Sequence, residues 1–172
     1  METITHNLIA VFIQILCFLY FIFPWNVIFT IIFAFISHII VDDLSFITYH
    51  TPDFMKDDKF WLIWHYIIYA LSLFSFVIFI IPYGLSLLFA NIVDLWDWFI
   101  LRPIQKKIKS KNPDSKWGDK YYFHQIVDWV RLKLFNWLPK RKYKKSGILI
   151  EISIIIVFSI LLGMLNVTLV ID

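Results

Sequence analysis

The sequence is poor in charge, in cysteine and in glycine. Lysine, arginine, aspartate and glutamate make up only 17% of its 172 residues, against about 25% in soluble chains. The single cysteine, Cys17, excludes an internal disulfide and a zinc site made of cysteines. Apolar residues take the place of charge and reach 60% of the chain. This excess excludes a disordered protein and a nucleic-acid-binding module, so no nucleic-acid partner is expected.

The apolar residues form long runs that are separated by prolines or by charged stretches. Such runs are typical of membrane-crossing helices. We therefore predict an all-α integral membrane protein, a single helical domain over residues 1–172 with about five transmembrane or re-entrant helices. Pro24 and Pro82 mark predicted turns, and the predicted helices cover residues 7–23, 25–41, 60–81, 83–101 and 147–171. The first two are short enough to form a hairpin that does not fully cross the bilayer.

The basic residues are concentrated in one stretch, residues 102–146, which holds 14 of the 16 lysines and arginines. Because basic loops stay in the cytoplasm, we expect this stretch and the N-terminus to be cytoplasmic, in a protein integral to the cytoplasmic (inner) membrane. Within the stretch, residues 119–138 mix aromatic and charged side chains. This pattern is typical of an amphipathic helix at the cytoplasmic face, in the headgroup region. Membrane lipid is therefore an expected partner.

Two histidine–aspartate pairs share the spacing H-x3-D: His38 with Asp42, and His124 with Asp128. Residues four apart lie on one face of a helix. Each pair can therefore hold a divalent ion, or one member can bind the ion while the other orients it. The alternative for either pair is a helix-stabilising contact without metal.

Further ionisable residues stand in apolar runs, where a charge is costly: His65, Asp94 and Asp97. The predicted topology places them, together with both pairs, toward the cytoplasmic side. We therefore predict a metal centre there, with zinc as the expected ion and manganese or iron as alternatives. Its predicted ligands are His38, Asp42, His65, Asp94, His124 and Asp128.

Asp94 and Asp97 are also the predicted catalytic carboxylates, one of which would act as general base. Arg102 and Arg131 stand near the same side, and we predict that they bind an anionic substrate group. Two alternatives stay open. Asp97 could pair with Arg102 or Lys106 instead of a metal, and both arginines could contact lipid headgroups.

Two other ionisable residues are expected at the membrane interface. His6 lies near the N-terminus, and Glu151 lies about one turn into the last apolar run. A long carboxylate side chain in that position can extend its charge toward water. Neither residue belongs to the predicted ligand set.

Three motifs carry a resemblance to a known family: SHIIVD at residues 37–42, NIVDLWD at 91–97 and HQIVD at 124–128. The chain resembles prokaryotic membrane-bound metal-dependent hydrolases, a family with a remote likeness to the zinc-dependent phospholipase C and P1 nuclease helical fold. The resemblance implies helices that supply histidine and aspartate to a metal, and a hydrolytic reaction. The glycine- and histidine-rich loop expected near the first aspartate of such proteins is missing, since the chain has only four glycines.

The predicted function is a metal-dependent hydrolase at the cytoplasmic membrane face. It would act on a phosphoester of a lipid-like or amphiphilic substrate, with the metal activating water. Two other classes stay open. The chain could be a component that transports ions or divalent metal, because histidine and aspartate in membrane helices also mark ion pathways. It could also be a non-catalytic membrane scaffold whose basic stretch binds lipid.

Overall fold

The computed structural model describes residues 1–49, 55, 57–117, 121–141 and 143–171, and within the last range it describes side chains up to residue 165. Helix is the only regular secondary structure in these ranges. In chain order the helices are α1 (Thr3–Tyr20), α2 (Trp25–Leu44), α3 (Lys59–Asp94), α4 (Arg102–Lys111), α5 (His124–Val130) and α6 (Gly147–Ile171). The shorter helical stretches include a 3₁₀ turn after α2, Ser45–Ile47. They also include two π-helical segments, Leu95–Leu101 and Arg131–Phe135.

The outer surface of the bundle is apolar. Among the described residues, four helical stretches are long and apolar enough to cross a membrane: Thr3–Tyr20, Trp25–Ile47, Lys59–Lys111 and Gly147–Leu165. Large side chains such as Ile81, which is 92% exposed, point outward from them. Extended apolar surface of this kind fits contact with lipid. The all-helical architecture of the described residues is therefore compatible with the predicted helical membrane protein.

Helix α3 folds back on itself at Pro82 and Tyr83. Asn7 shows this, because its amide donates to the Ser75 hydroxyl at 2.9 Å and accepts from the Asn91 amide at 3.0 Å. A straight helix would hold Ser75 and Asn91 about 24 Å apart. Tyr83 has non-helical backbone angles, φ −129° and ψ 25°. The two arms of α3 therefore run side by side along α1, and the chain reverses where the sequence predicts it.

Gln14 of α1 satisfies the backbone at this bend. A proline inside a helix removes one hydrogen bond and opens the turn before it. The Gln14 amide nitrogen donates to the Pro82 carbonyl at 3.4 Å, and its carbonyl accepts from the Ser86 N–H at 3.0 Å. In an apolar setting an unpaired backbone group is costly. We infer that Gln14 stabilises the fold-back.

Helix α1 lies at the centre of the bundle and contacts α2, α3 and α6. Glu151 of α6 binds to the start of α1, although the sequence suggests that its carboxylate extends toward water. Its side chain is buried, and its Oε1 accepts hydrogen bonds from the Thr5 hydroxyl and from the Glu2 backbone N–H, the latter at 3.2 Å. The physical reason is that α1 offers donors where the sequence suggests only water.

The amphipathic helix predicted over residues 119–138 is shorter in the structure. It consists of α5 followed directly by Arg131–Phe135; the predicted start at residue 119 lies outside the described residues. A second amphipathic helix, α4, continues from the end of α3 within the same basic stretch. Asp97 helps to set the beginning of α5, because its carboxylate accepts the backbone N–H groups of Phe123 and His124 at 3.0 and 2.9 Å.

Candidate metal centre

The last turns of α2 bring His38 and Asp42 together on one helix face. His38 Nε2 lies 3.1 Å from Asp42 Oδ2, and the His38 side chain is fully buried. Neither ring nitrogen of His38 has a hydrogen-bond partner among the described residues. Buried polar groups in proteins are normally satisfied. The unsatisfied imidazole therefore indicates that its nitrogen is available to a ligand.

Helices α3 and α5 complete the group. Asp94, the last residue of α3, has its Oδ1 4.0 Å from His38 Nε2. His124, the first residue of α5, has its Nε2 3.3 Å from Asp42 Oδ2 and 3.5 Å from Asp94 Oδ1. One ligand atom from each of His38, Asp42, Asp94 and His124 lies within 4.8 Å of the other three. We call these four residues the metal cluster.

The donor set of the metal cluster fits a divalent transition metal. Two imidazoles and two carboxylates suit zinc, manganese or iron. Ligand atoms about 2.1 Å from a tetrahedral zinc ion would lie roughly 3.4 Å from one another. The contacts of 3.1, 3.3, 3.5 and 4.0 Å bracket that spacing. The residues can therefore hold such an ion with small side-chain adjustments.

Asp97 orients His124. The Asp97 side chain is fully buried, and its Oδ2 lies 2.7 Å from His124 Nδ1. Histidines that bind metals usually donate their second ring N–H to a carboxylate, which fixes the tautomer and the ring orientation. With Nδ1 held in this way, Nε2 faces Asp42 and Asp94.

The electrostatics of the cluster favour a cation. Desolvation lowers the pKa of His124, but hydrogen bonds to Asp42 and Asp97 and the charges of Asp42 and Asp94 outweigh it and raise the pKa to about 9. The same carboxylates that hold a proton on His124 would attract a divalent ion, which competes with that proton for the imidazole.

His6 is a residue of this region that the sequence interpretation left out of the metal site. It is buried in the bundle, its ring stacks on His38 at 4.5 Å between centroids, and its Nε2 lies 3.0 Å from Asp42 Oδ1. The α-amino group of Met1 lies 3.2 Å from the same oxygen. No motif spacing links His6 to α2, because the contact comes from the packing of α1 against α2. The sequence signal for a role of His6 is a histidine placed directly before the first apolar run.

Two of the six predicted ligands lie outside the metal cluster. His65 stacks on Trp61 at 3.8 Å between centroids, and its Nδ1 lies 2.8 Å from the Trp61 carbonyl oxygen. The Asp128 carboxylate is 67% exposed and pairs with Arg131 at 2.9 Å. His124 uses Asp97, from another helix, where the H-x3-D pattern suggests Asp128.

The two predicted substrate-binding arginines contact protein groups. Arg131 donates from Nη2 to the backbone carbonyl of Asp42 at 3.0 Å, so it ties the stretch after α5 to the end of α2. The Arg102 guanidinium lies 3.5 Å from the centroid of the Trp98 ring, and its Nε donates to the Tyr122 hydroxyl at 2.7 Å. Neither arginine lines the cavity beside the metal cluster.

That cavity, here called the apolar groove, has a volume of about 600 Å³. Asp42, Asp94 and His124 form its polar end. The remainder runs between the two arms of α3 and is lined mainly by apolar side chains, among them Leu73, Phe76, Ile80, Leu87 and Leu88. A metal cluster at one end of an apolar groove suits a molecule with a polar head and an apolar chain.

Neither a protein-family model, nor a curated protein, nor a solved structure matches this chain. Its function is therefore inferred from the geometry of the metal cluster and of the apolar groove.

Proposed function

We propose that the protein is a metal-dependent hydrolase that cleaves a phosphoester of a lipid-like or amphiphilic substrate. One observation carries the proposal: four ligand atoms from His38, Asp42, Asp94 and His124 meet within 4.8 Å, and three of these residues open into the apolar groove. Zinc is the expected ion, with manganese or iron as alternatives. The kinship with membrane-bound metal-dependent hydrolases that the motifs suggest is part of this proposal.

We assign a role to each residue from its position. The metal cluster would hold the ion, which supplies Lewis-acid chemistry and lowers the pKa of a bound water. Asp97 holds His124 in place. Asp94 is the more exposed cluster carboxylate, at 31% against 13% for Asp42, and it lines the groove. We therefore assign proton transfer during hydrolysis to Asp94 and a positioning role to Asp97.

The apolar surroundings and the basic residues support the proposed substrate class and side of action. The groove is lined mainly by apolar side chains and lies in a bundle with an apolar outer surface, so an acyl or prenyl chain could enter it from lipid. The basic residues concentrated in 102–146 favour a cytoplasmic location for α4 and α5. The metal cluster, which includes His124 of α5, would then act at the cytoplasmic face of the inner membrane.

The first test is metal analysis of the full chain purified in a neutral detergent. We expect about one equivalent of transition metal in the wild type and its loss in His38→Ala and in His124→Ala. His65→Ala is the matched control, because it removes a buried histidine outside the metal cluster and should keep the metal. A metal-free wild type that also fails to bind added zinc would contradict the proposal.

The second test is hydrolysis of lipid phosphate monoesters in mixed micelles. Release of phosphate should require the metal and should be lost in Asp94→Asn, with metal content measured in the same preparation. A metal-loaded protein that releases no phosphate but carries zinc into proteoliposomes would favour the transport alternative instead.

A further inference from the structure

A second cavity, lined by basic side chains, lies beside α4 and has a volume of about 590 Å³. We call it the basic cavity. Arg102, Lys106 and Lys109 stand at positions i, i+4 and i+7 of one helix, so they share a face. The other described lining residues are Gln105, Tyr122 and Gln125, and none of the described lining residues carries a carboxylate. Three cations and no acid among the described lining residues make this cavity suited to an anion.

Arg102 is held in a defined orientation at the edge of the basic cavity. Its guanidinium lies over the Trp98 ring, and its Nε donates to the Tyr122 hydroxyl. Stacking on an aromatic ring and a fixed hydrogen bond reduce the entropy that an arginine side chain loses on binding. A planar guanidinium presented in this way matches the oxygen geometry of a phosphate group.

The basic cavity adjoins the metal cluster. Trp98 also lines the apolar groove, and its ring centroid lies 6.1 Å from that of His124. The Tyr122 ring lies 5.7 Å from His124 by the same measure. Tyr122, which lines the basic cavity, and His124, which lines the apolar groove, are therefore neighbours.

We propose that the basic cavity binds a phosphate group. Its assignment to the substrate's headgroup rests on the proposed function, whereas phosphate binding itself does not. Phosphate is favoured over a carboxylate because it carries up to two negative charges and three acceptor oxygens, which three cations and the polar lining can satisfy. The phosphate could belong to a lipid headgroup or to a free phosphate ion.

The test measures binding to the full chain in neutral detergent after the metal has been removed, so that no hydrolysis can occur. The probes are inorganic phosphate and dioleoyl phosphatidic acid in micelles, with dioleoylglycerol as the phosphate-free lipid, all followed by calorimetry. Binding of both phosphate probes would indicate a general phosphate site. Binding of phosphatidic acid alone would indicate a lipid-headgroup site that also needs the chain. Binding of neither probe, or equal binding of dioleoylglycerol, would overturn the proposal.

Two double variants of α4 test whether the basic cavity is the site that binds phosphate. Lys106→Gln with Lys109→Gln removes two charges that line it, whereas Lys107→Gln with Lys111→Gln removes two charges of the same helix that do not. We expect the first pair to weaken phosphatidic acid binding about tenfold or more and the second less than about twofold. Equal weakening by both pairs would show non-specific attraction and overturn the proposal, as would no weakening by the first pair.

Two further measurements separate folding and metal binding from anion binding. Arg102→Lys keeps the charge but loses the planar fork, so a weakened affinity in a folded Arg102→Lys protein supports a built site, and full affinity contradicts the role of Arg102. Metal content is measured in every variant. A wild type that binds phosphate but no metal would overturn the proposed hydrolase while leaving this inference intact.

Discussion

Among the described residues, a buried polar group and the metal cluster, in which His38 is buried and the other members are half-buried, differ in how far their atoms are paired. Thr5, Asn7, Gln14 and Glu151 join α1 to α3 and α6 through hydrogen bonds with definite donors and acceptors. In the metal cluster, the ring nitrogens of His38 have no hydrogen-bond partner among the described residues, and the carboxylates of Asp42 and Asp94 face histidines. The first arrangement is complete without a ligand. In the second, Asp42 already contacts the Met1 amino group and His6, and His124 contacts Asp97, whereas the ring nitrogens of His38 stay unsatisfied among the described residues.

Polarity inside an apolar bundle does not by itself identify a functional site. Both groups are costly to bury. Hydrogen bonds that are satisfied between helices account fully for residues such as Glu151. The ring nitrogens of His38 are unsatisfied among the described residues, although Nε2 faces Asp42 of the same helix and Asp94 of α3. They require a different explanation, and a bound cation would supply one.

The largest loss of metal is expected when Asp42 is removed, because its carboxylate contacts both cluster histidines. We expect Asp42→Ala to retain less than about a tenth of the wild-type metal, because one of four ligands and the link between the other elements are lost. Asp128→Ala is the control, since it removes the aspartate of the other H-x3-D pair from outside the cluster. Metal analysis of both purified variants checks this, and equal metal content in the two would count against the assignment.

A smaller effect is expected at Asp97, which touches His124 but not the ligand atoms of the cluster. Asp97→Asn should weaken zinc affinity about 10–100-fold while the protein still fills with metal at saturating zinc. The reason is that an asparagine amide can donate to His124 Nδ1 and so place the ring proton on Nε2. Competition with a fluorescent zinc chelator measures the affinity, with Asp128→Asn as the matched control. Unchanged affinity in Asp97→Asn would remove the positioning role.

The smallest effect on metal content is expected in the hydrogen-bonded group of Thr5, Asn7, Gln14 and Glu151. Substitutions there should change stability alone. Glu151→Ala leaves the Thr5 hydroxyl and the Glu2 N–H without their acceptor, which costs about 1–3 kcal/mol. Glu151→Gln keeps an acceptor oxygen and should lose less. Thermal unfolding in detergent compares the two variants, and the metal content per folded molecule should match that of the wild type. A folded Glu151→Ala protein without metal would show that the two groups are not separate.

Much of the helical framework could be predicted from the sequence because it depends on local patterns. The long apolar runs indicate the membrane helices, and residues 147–171 match α6 as observed. Pro82 predicts the chain reversal, because proline removes a helical hydrogen bond. His38 and Asp42 share a helix face by their spacing alone, and this determines half of the metal cluster.

The partners of each polar residue could not be predicted in the same way. Asp97 rather than Asp128 orients His124, because packing of the Leu95–Leu101 stretch against the start of α5 brings the two side chains within 2.7 Å. The same reason explains His6 and Glu151, whose partners lie 36 and 146 residues away. Contacts at such separations depend on which helices become neighbours.

Local sequence patterns specify the helices, the fold-back at Pro82 and the residue types available for metal binding. These follow from hydropathy, helix periodicity and backbone chemistry, all of which act over a few residues. Only the tertiary structure decided which four of the ionisable residues meet, which stay paired elsewhere, and that the meeting point opens into an apolar groove. Those outcomes depend on helix packing, which sets distances between residues that are remote in sequence.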